Sequence, residues 1–390
     1  MVVSGYLQTN SNLRTKRNSG VELIKVVALF AIIVAHLSQT LSTAHEYIQY
    51  PEFIIPITSA SKDPQVCLLA LFYHLGSLGN LIFFIASFWF LSDRNTVRFN
   101  KVILITIDVW VISVLSYFFW DKIVCDFGGT IPVELVIKSF FPTIFANNWF
   151  ITCYILIYTV SPVLNKLTYV LSRKTFFAFC TVTGILYFGI GSVKSGLFFS
   201  NQLLIFLTLY FIVSYVRRYA NDLTNNVRFN LYVLLISSIC FFISFFILEL
   251  LGQHLEIFST KMLFLARNDN IFLLFIAFSL FNLFKSLKFS SRIINIVAST
   301  SLIVYVTHEN IIFRQMIRPF IFTYLHDTYG YDSIVVWVIL LAIILFILTF
   351  CIAMMYKLSV QRITTKLANY LGEALLSSDK RVNPRNEPSL

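Results

Sequence analysis

Residues 21–37 read VELIKVVALFAIIVAHL, from Val21 to Leu37. Apart from Glu22, Lys25 and His36, every side chain in the run is apolar. About 20 such residues cross the ~30 Å hydrocarbon layer as a helix, so the run predicts a membrane span. A charge near the bilayer centre costs roughly 2.5–3.5 kcal/mol on insertion scales, so each of the three polar residues needs a reason. Lys25 and His36 are eleven residues apart. At 100° per residue that leaves them about 20° apart on one helix face and about 16.5 Å apart along the axis. Glu22, three residues before Lys25, is placed to pair with it.

The rest of the chain carries the same signal. Of its 390 residues, 57% are hydrophobic and 13% charged, with 41 Phe and 19 Tyr, and the mean hydropathy is +0.78. Soluble domains hold roughly 45–50% apolar and about 25% charged residues. The composition excludes a soluble enzyme, a disordered chain and a collagen-like fibre. The net charge of +11 falls in short loops between apolar runs, so it points to membrane topology and not to nucleic acid. Six scattered Cys with no CxxC suggest neither a zinc site nor a disulfide framework. No metal-ligand cluster and no Gly-rich nucleotide loop stands out.

Ten spans are predicted: 21–41, 69–91, 101–120, 147–164, 176–193, 200–216, 231–251, 269–285, 293–313 and 333–356. Runs such as Phe241–Leu248 lack the alternation a membrane barrel needs, so the expected fold is all-α. The eighth span is clean only over Ile271–Phe281 and needs Lys285 and Lys288 to snorkel. Of the 30 Lys and Arg, 21 fall in segments on the side of the N-terminus, eight on the other, and Lys25 within the first span. That excess predicts both termini in the cytoplasm. The expected organisation is a polar N-terminal segment (1–20), a transmembrane domain (21–356) and a polar tail (357–390). The inverted repeats of many transporters are not visible.

The shared face of Lys25 and His36 has a chemical reading. A cation at the cytoplasmic mouth can hold the phosphates of a cytosolic donor, and an imidazole deeper in can act as general base on a hydroxyl. Their separation suits the extended pantetheine arm of a coenzyme A thioester. The plainer alternatives are a snorkelling anchor for Lys25 and a packing histidine for His36. Arg94, Arg98 and Lys101, in the loop before the third span, are candidates for phosphate contact or ordinary loop charges. Asp108 lies seven residues after Lys101 on a similar face, where it could pair with a cation or orient a ring nitrogen. His308 and Glu309 fall at a depth similar to His36, as acceptor-binding or supporting groups or as an interfacial pair. Trp149 could stack on a sugar or sit at the membrane interface.

Four stretches carry a resemblance. Lys25, ten residues and His36 resemble the opening signature of the membrane acyltransferase family 3, in which the basic residue is usually Arg. Leu78 to Leu91 looks like the family's second helix, with Phe88 where Gly is common. Trp149-Phe150, Tyr158, Ser161-Pro162 and Asn165 look like its Trp-Phe…Tyr…Ser-Pro-x-Leu-Asn helix. Ser301-Leu302, Tyr305 and His308 look like its late Ser-Leu-x-x-Tyr-x-x-His helix. The resemblance spans about 20–356, and the family often places basic residues near the donor site in the loop that here holds Arg94, Arg98 and Lys101.

The resemblance implies transfer of an acyl group, usually acetyl, from a cytosolic thioester to a hydroxyl of a cell-surface glycan or its lipid-linked precursor. His36 is then the general base. Acetyl-CoA is a co-substrate, with no bound cofactor and no metal. The expected partners are the lipid bilayer, acyl-CoA and a carbohydrate acceptor, and the expected location is the cytoplasmic membrane. The rival reading is a transporter or flippase for a glycan or lipid precursor, which predicts no acyl-CoA consumption. A third is a sensor or scaffold.

Overall fold

A computed structural model describes residues 18–43, 54–94, 96–194 and 201–382, with side chains to residue 375. Helix makes up 82% of it, with no strand among the described residues. Most of the polar segment expected at 1–20 lies outside the described residues. Its last residues begin the first helix, α1 (Ser19–Leu41), capped by Asn18, whose Oδ1 accepts from Gly20 N at 2.9 Å.

Then come α2 (Pro64–Leu91), α3 (Phe99–Asp126), short α4 (Val133–Phe140), α5 (Trp149–Val170) and α6 (Arg173–Val193). They are followed by α7 (Gln202–Tyr219), α8 (Val227–His254), α9 (Ile271–Ser286), α10 (Arg292–Ala298) and α11 (Ser301–His308). The chain closes with α12 (Arg318–Tyr329), α13 (Ile334–Ser359) and α14 (Gln361–Val382). Seven of the described helices are long and apolar enough to cross a membrane: α1, α2, α3, α5, α6, α8 and Tyr331–Ser359. Helix α7 has 18 residues and α9 only 16, as the short apolar run before Lys285 requires.

The antiparallel α1–α2 pair is the centre of the bundle. Of their most apolar windows, 61% and 56% of residues are buried, against 17% for α8. Helix α8 instead turns Leu235, Ile243, Phe246 and Leu250 outward, the face a lipid solvent requires. Close approach of α1 and α2 depends on Gly79. A Cβ there would lie 2.6 Å from Ile32 Cγ1 and 2.7 Å from the Ala28 carbonyl. Small residues at such crossings let helix backbones meet. The start of α1 is pinned across the fold: Asn18 Nδ2 donates to Lys285 O at 2.9 Å, and Ser19 Oγ to Asn295 Oδ1 at 3.0 Å.

One sequence expectation changes, and the polar segment after residue 357 gains a helix. The ninth span, expected as one rod over 293–313, is broken twice. At the first break Ser299, Thr300 and Ser301 turn their hydroxyls onto the carbonyls of Ile296, Val297 and Ala298. Such local bonds compete with the helix ladder. At the second break Asn310 Oδ1 accepts from Ile312 N and Phe313 N, a helix-starting cap, and a π-helical turn over Phe313–Ile317 leads into α12. The segment expected as a polar tail from 357 holds the last turn of α13 and then helix α14. Its Thr364 Oγ1 donates to Asp108 Oδ1 at 2.7 Å, and Asn100 Nδ2 to Asn369 Oδ1 at 3.1 Å, so it is tied along α3.

Candidate active site: a histidine–glutamate centre and a cationic cleft

The break after α11 does chemical work. Because the helix stops at His308, Glu309 swings toward α1, and the π turn brings Arg314 and Arg318 back over it. Glu309 Oε1 lies 2.9 Å from His36 Nδ1 and accepts from Arg318 Nη1 at 2.8 Å; Oε2 faces Arg314 Nη1 at 3.4 Å. His308, Glu309 and Arg318 are buried, whereas the His36 side chain keeps 18% exposure. A buried carboxylate is tolerable only when paired and hydrogen-bonded, and the two guanidiniums supply that.

The hydrogen-bond partners assign the ring tautomers. His308 Nδ1 lies 3.0 Å from the Val304 carbonyl, which can only accept, so that nitrogen carries the proton. In the neutral ring, Nε2 of His308 is then an acceptor. It lies 3.1 Å from His36 Nδ1, whose proton is therefore shared between His308 and Glu309. The free lone pair of His36 is on Nε2, which has no protein partner among the described residues. A carboxylate on one ring nitrogen and an open lone pair on the other is how a histidine base is oriented.

His36, His308 and Glu309 bring three potential metal-ligand atoms within 4.8 Å of one another. The charge balance opposes a cation there, because Arg314 and Arg318 already face the Glu309 carboxylate. The residues fit an organic acid–base centre better than a metal site.

At the other end of α1 lies a cleft of about 320 Å³ lined by Glu22, Lys25, Ser87, Arg94, Lys101, Tyr154 and Tyr158, among others. Lys25 Nζ pairs with Glu22 at 2.7 Å. Lys101 Nζ donates to the Tyr154 hydroxyl at 3.0 Å and sits 4.8 Å over the Tyr158 ring. The conspicuous motif on α5 builds this wall. Pro162 cannot donate to the Tyr158 carbonyl, and Ser161 Oγ takes that carbonyl at 2.8 Å instead. Asn165 Nδ2 holds the carbonyls of Leu91 at 3.1 Å and Arg94 at 2.7 Å, while Tyr210 OH donates to Asn165 Oδ1 at 2.6 Å. Asn165 thus fixes the loop that presents Arg94.

Three of the four expected donor-site cations, Lys25, Arg94 and Lys101, meet in this cleft. Arg98 does not line it; it precedes α3, and its backbone N–H points to Tyr158 OH at 3.4 Å. His36, His308 and Glu309 come together as one centre. Asp108 joins neither group. It accepts from Tyr356 OH at 2.7 Å and from Thr364 and Gln361, so it clasps α13 and α14 to α3. Trp149 stacks on Phe206 with ring centroids 6.1 Å apart.

Tyr158, Tyr154 and Phe150 recur every fourth residue along α5. The row continues through Tyr305, 5.6 Å from Phe150, to His36, 6.5 Å from Tyr305. Arg314, Arg318 and Tyr154 join the two groups only through the fold. The spacing of five and nine residues from Glu309 was a signal, but it aligns with Glu309 only once a π turn is known.

These features define a helical membrane protein with a histidine–carboxylate centre at one end of its first helix and a cation-lined cleft at the other. A family model described as an acyltransferase domain matches residues 18–356, and the chain belongs to that family, the membrane acyltransferase family 3. Searches of curated proteins and of solved structures each gave no match.

Proposed function

We propose that this acyltransferase moves an acetyl group from cytosolic acetyl-CoA to a hydroxyl of a cell-surface glycan or its lipid-linked precursor, with His36 as general base. The observation that carries the reading is the commitment of His36 Nδ1 to Glu309 and His308, which leaves Nε2 as the open base. In this reading ten segments cross the cytoplasmic membrane, both termini are cytoplasmic, and the Lys25 cleft faces the cytosol. The donor's phosphates meet Lys25, Arg94 and Lys101, and its pantetheine arm follows the Tyr158–Tyr154–Phe150 row toward His36. The acceptor O–H gives its proton to His36 Nε2 as its oxygen bonds the acyl carbon. The C–S bond then breaks, and the thiolate leaves and is reprotonated from His36 or water. Glu309 offsets the charge that His36 gains.

The test uses the full chain in inverted membrane vesicles with labelled acetyl-CoA, scoring base-labile acetyl on the glycan fraction. Label should reach the glycan in wild type and not in His36→Gln, since an amide cannot accept the proton. Glycan movement without consumption of acetyl-CoA would instead establish the transporter reading. Near-normal transfer by a well-inserted His36→Gln protein would remove His36 as the base.

A further inference from the structure

The row of rings that leads from the cleft to His36 carries three tyrosine hydroxyls, those of Tyr158, Tyr154 and Tyr305. Two are already used. Tyr154 OH accepts from Lys101 Nζ at 3.0 Å, and Tyr158 OH accepts from the Arg98 backbone N–H at 3.4 Å. Tyr305 stands at the junction of the row and the centre. Its ring lies 5.6 Å from Phe150 on the side of the row, and 6.5 Å from His36 and 5.5 Å from His308 on the side of the centre. Tyr305 is only 8% exposed, yet its hydroxyl has no hydrogen-bond partner among the described residues. A buried tyrosine hydroxyl ordinarily finds one, because an unmet donor in a low-dielectric setting is costly.

The proposed reaction creates a charge that the centre described so far does not meet. Attack on a thioester moves the carbonyl π electrons onto the acyl oxygen, and Glu309 offsets only the charge on His36. An oxyanion needs a donor held in place before the reaction starts. The other donors around His36 are committed. At the break after α11, Glu309 N and Asn310 N bond the carbonyls of Tyr305 and Thr307. Thr40 Oγ1 bonds His36 O, Thr307 Oγ1 bonds Ile303 O, and His308 Nδ1 faces Val304 O. Arg314 and Arg318 face Glu309, and their remaining Nε atoms are sealed inside the protein.

We propose that Tyr305 is a further catalytic residue, whose O–H donates to the carbonyl oxygen of the thioester and holds the negative charge that forms there. The proposal deepens the acyltransferase reading and rests on it for the thioester. The proton stays on the tyrosine throughout. As the acceptor oxygen bonds the acyl carbon, the π pair moves to the acyl oxygen and the hydrogen bond from Tyr305 strengthens. When the C–S bond breaks, that pair returns and the C=O bond re-forms. A donor arriving along the row passes Phe150 and then Tyr305 before its acyl carbon reaches His36, so the hydroxyl meets the carbonyl at the point where the base acts.

The test uses two readouts on the full chain. Acetyl transfer in inverted vesicles gives kcat and the donor KM. Infrared difference spectra of the protein purified in detergent, with acetyl-CoA carrying a ¹³C-labelled carbonyl, give the stretch of the bound thioester. Tyr305→Phe keeps the ring and its contacts. It should lower kcat about 10²-fold, the low end for removal of one oxyanion donor, with the donor KM little changed. In wild type the bound carbonyl should absorb at lower frequency than in free acetyl-CoA, and Tyr305→Phe should return it toward the free value. His36→Gln should keep the wild-type band while losing transfer. A band that Tyr305→Phe leaves in place, or near-normal kcat in that variant, would overturn the role of the hydroxyl and leave His36 as the base. A Tyr305-dependent band in a wild-type protein that transfers no acetyl would overturn the proposed function and leave the hydroxyl contact standing. A wild-type protein that binds no acetyl-CoA would overturn both.

Discussion

The two ends of α1 are built in opposite ways. At the His36 end a buried carboxylate is ringed by two arginines and two imidazoles, and His36 Nδ1 is committed. At the Lys25 end the cations come from α1, from the loop after α2 and from the start of α3, around an open cleft. A group that must meet a reacting proton at a fixed distance needs the first kind of surroundings. A group that must capture and release a large charged donor needs the second, because desolvated and fully paired cations would not be free to exchange partners.

If that contrast is right, substitutions at the His36 end act on turnover and those at the Lys25 end act on donor affinity. The largest effect should come from His36→Gln. Loss of a general base typically removes 10²–10⁴-fold, so kcat should fall by about that factor with the donor KM unchanged. A parallel rise in donor KM would erase the distinction between the ends.

Next is Arg318→Met, which leaves the buried Glu309 carboxylate facing only Arg314 and the imidazoles. Removing one partner of a buried ion pair costs about 3–5 kcal/mol, and the remaining Arg314 puts the expected loss at about 3 kcal/mol. Thermal or denaturant unfolding in detergent reads it. The double variant Arg318→Met/Glu309→Met should recover most of the stability while remaining inactive, because His36 then has no carboxylate. A double variant as unstable as the single one would show that the pair does not interact as the geometry requires.

The contrast also explains what the sequence could reveal. The α-helical membrane class and the shared face of Lys25 and His36 follow from hydropathy and the 3.6-residue period, which are local properties, whereas the central position of α1 emerges only from the packing. The pairing of His308 and Glu309 with His36 was anticipated only as a matter of similar depth. Its cause, the interruption at Glu309–Asn310, hangs on one Asn cap and a π turn, and periodicity cannot register either. Asp108, on a helix face similar to that of Lys101, is placed by sequence to pair with a cation or orient a ring nitrogen. The structure gives it instead to Tyr356 and Thr364, 248 and 256 residues away in sequence. The Ser-Pro…Asn string on α5 was recognisable, yet its work, holding the carbonyls of Leu91 and Arg94, is a contact across about 70 residues.

That contact yields the third prediction. Asn165→Ala strips the partners from two carbonyls and from the Tyr210 hydroxyl, at about 1–3 kcal/mol for each buried group left unmet. Taken at the lower figure for each of the three groups, the expected loss is about 3 kcal/mol in all. The donor KM should rise with kcat little changed, since Arg94 drifts while His36 does not. A fall in kcat alone would mean that Asn165 supports the centre and not the cleft.

Lys25→Ala should raise the donor KM about tenfold, the low end for a hydrogen bond to a charged group, because the Lys25 side chain is 21% exposed. Lys25→Arg should hold or improve affinity, as a guanidinium can engage a phosphate through two N–H groups. Unchanged KM in a normally inserted Lys25→Ala protein would make this residue an anchor only.

The smallest expected effect separates two arginines that sequence alone could not rank. Arg94 and Arg98 lie four residues apart, both exposed, in the same loop. Arg94 lines the cleft and its backbone is clamped by Asn165, whereas Arg98 lies outside the lining and contributes a backbone N–H to Tyr158. Exposed charge pairs are worth about 0.2–1 kcal/mol, so Arg94→Gln should raise the donor KM by roughly 1.4- to fivefold. Arg98→Gln keeps the backbone contact and should change KM by less than that, about the scatter of the measurement. The Arg94 effect should also shrink at high salt, because the exposed charges are screened over about 10 Å at 0.1 M and about 3 Å at 1 M. Equal sensitivity at the two positions would mean that the donor binds across the whole loop, and the cleft would then be only the inner part of its site.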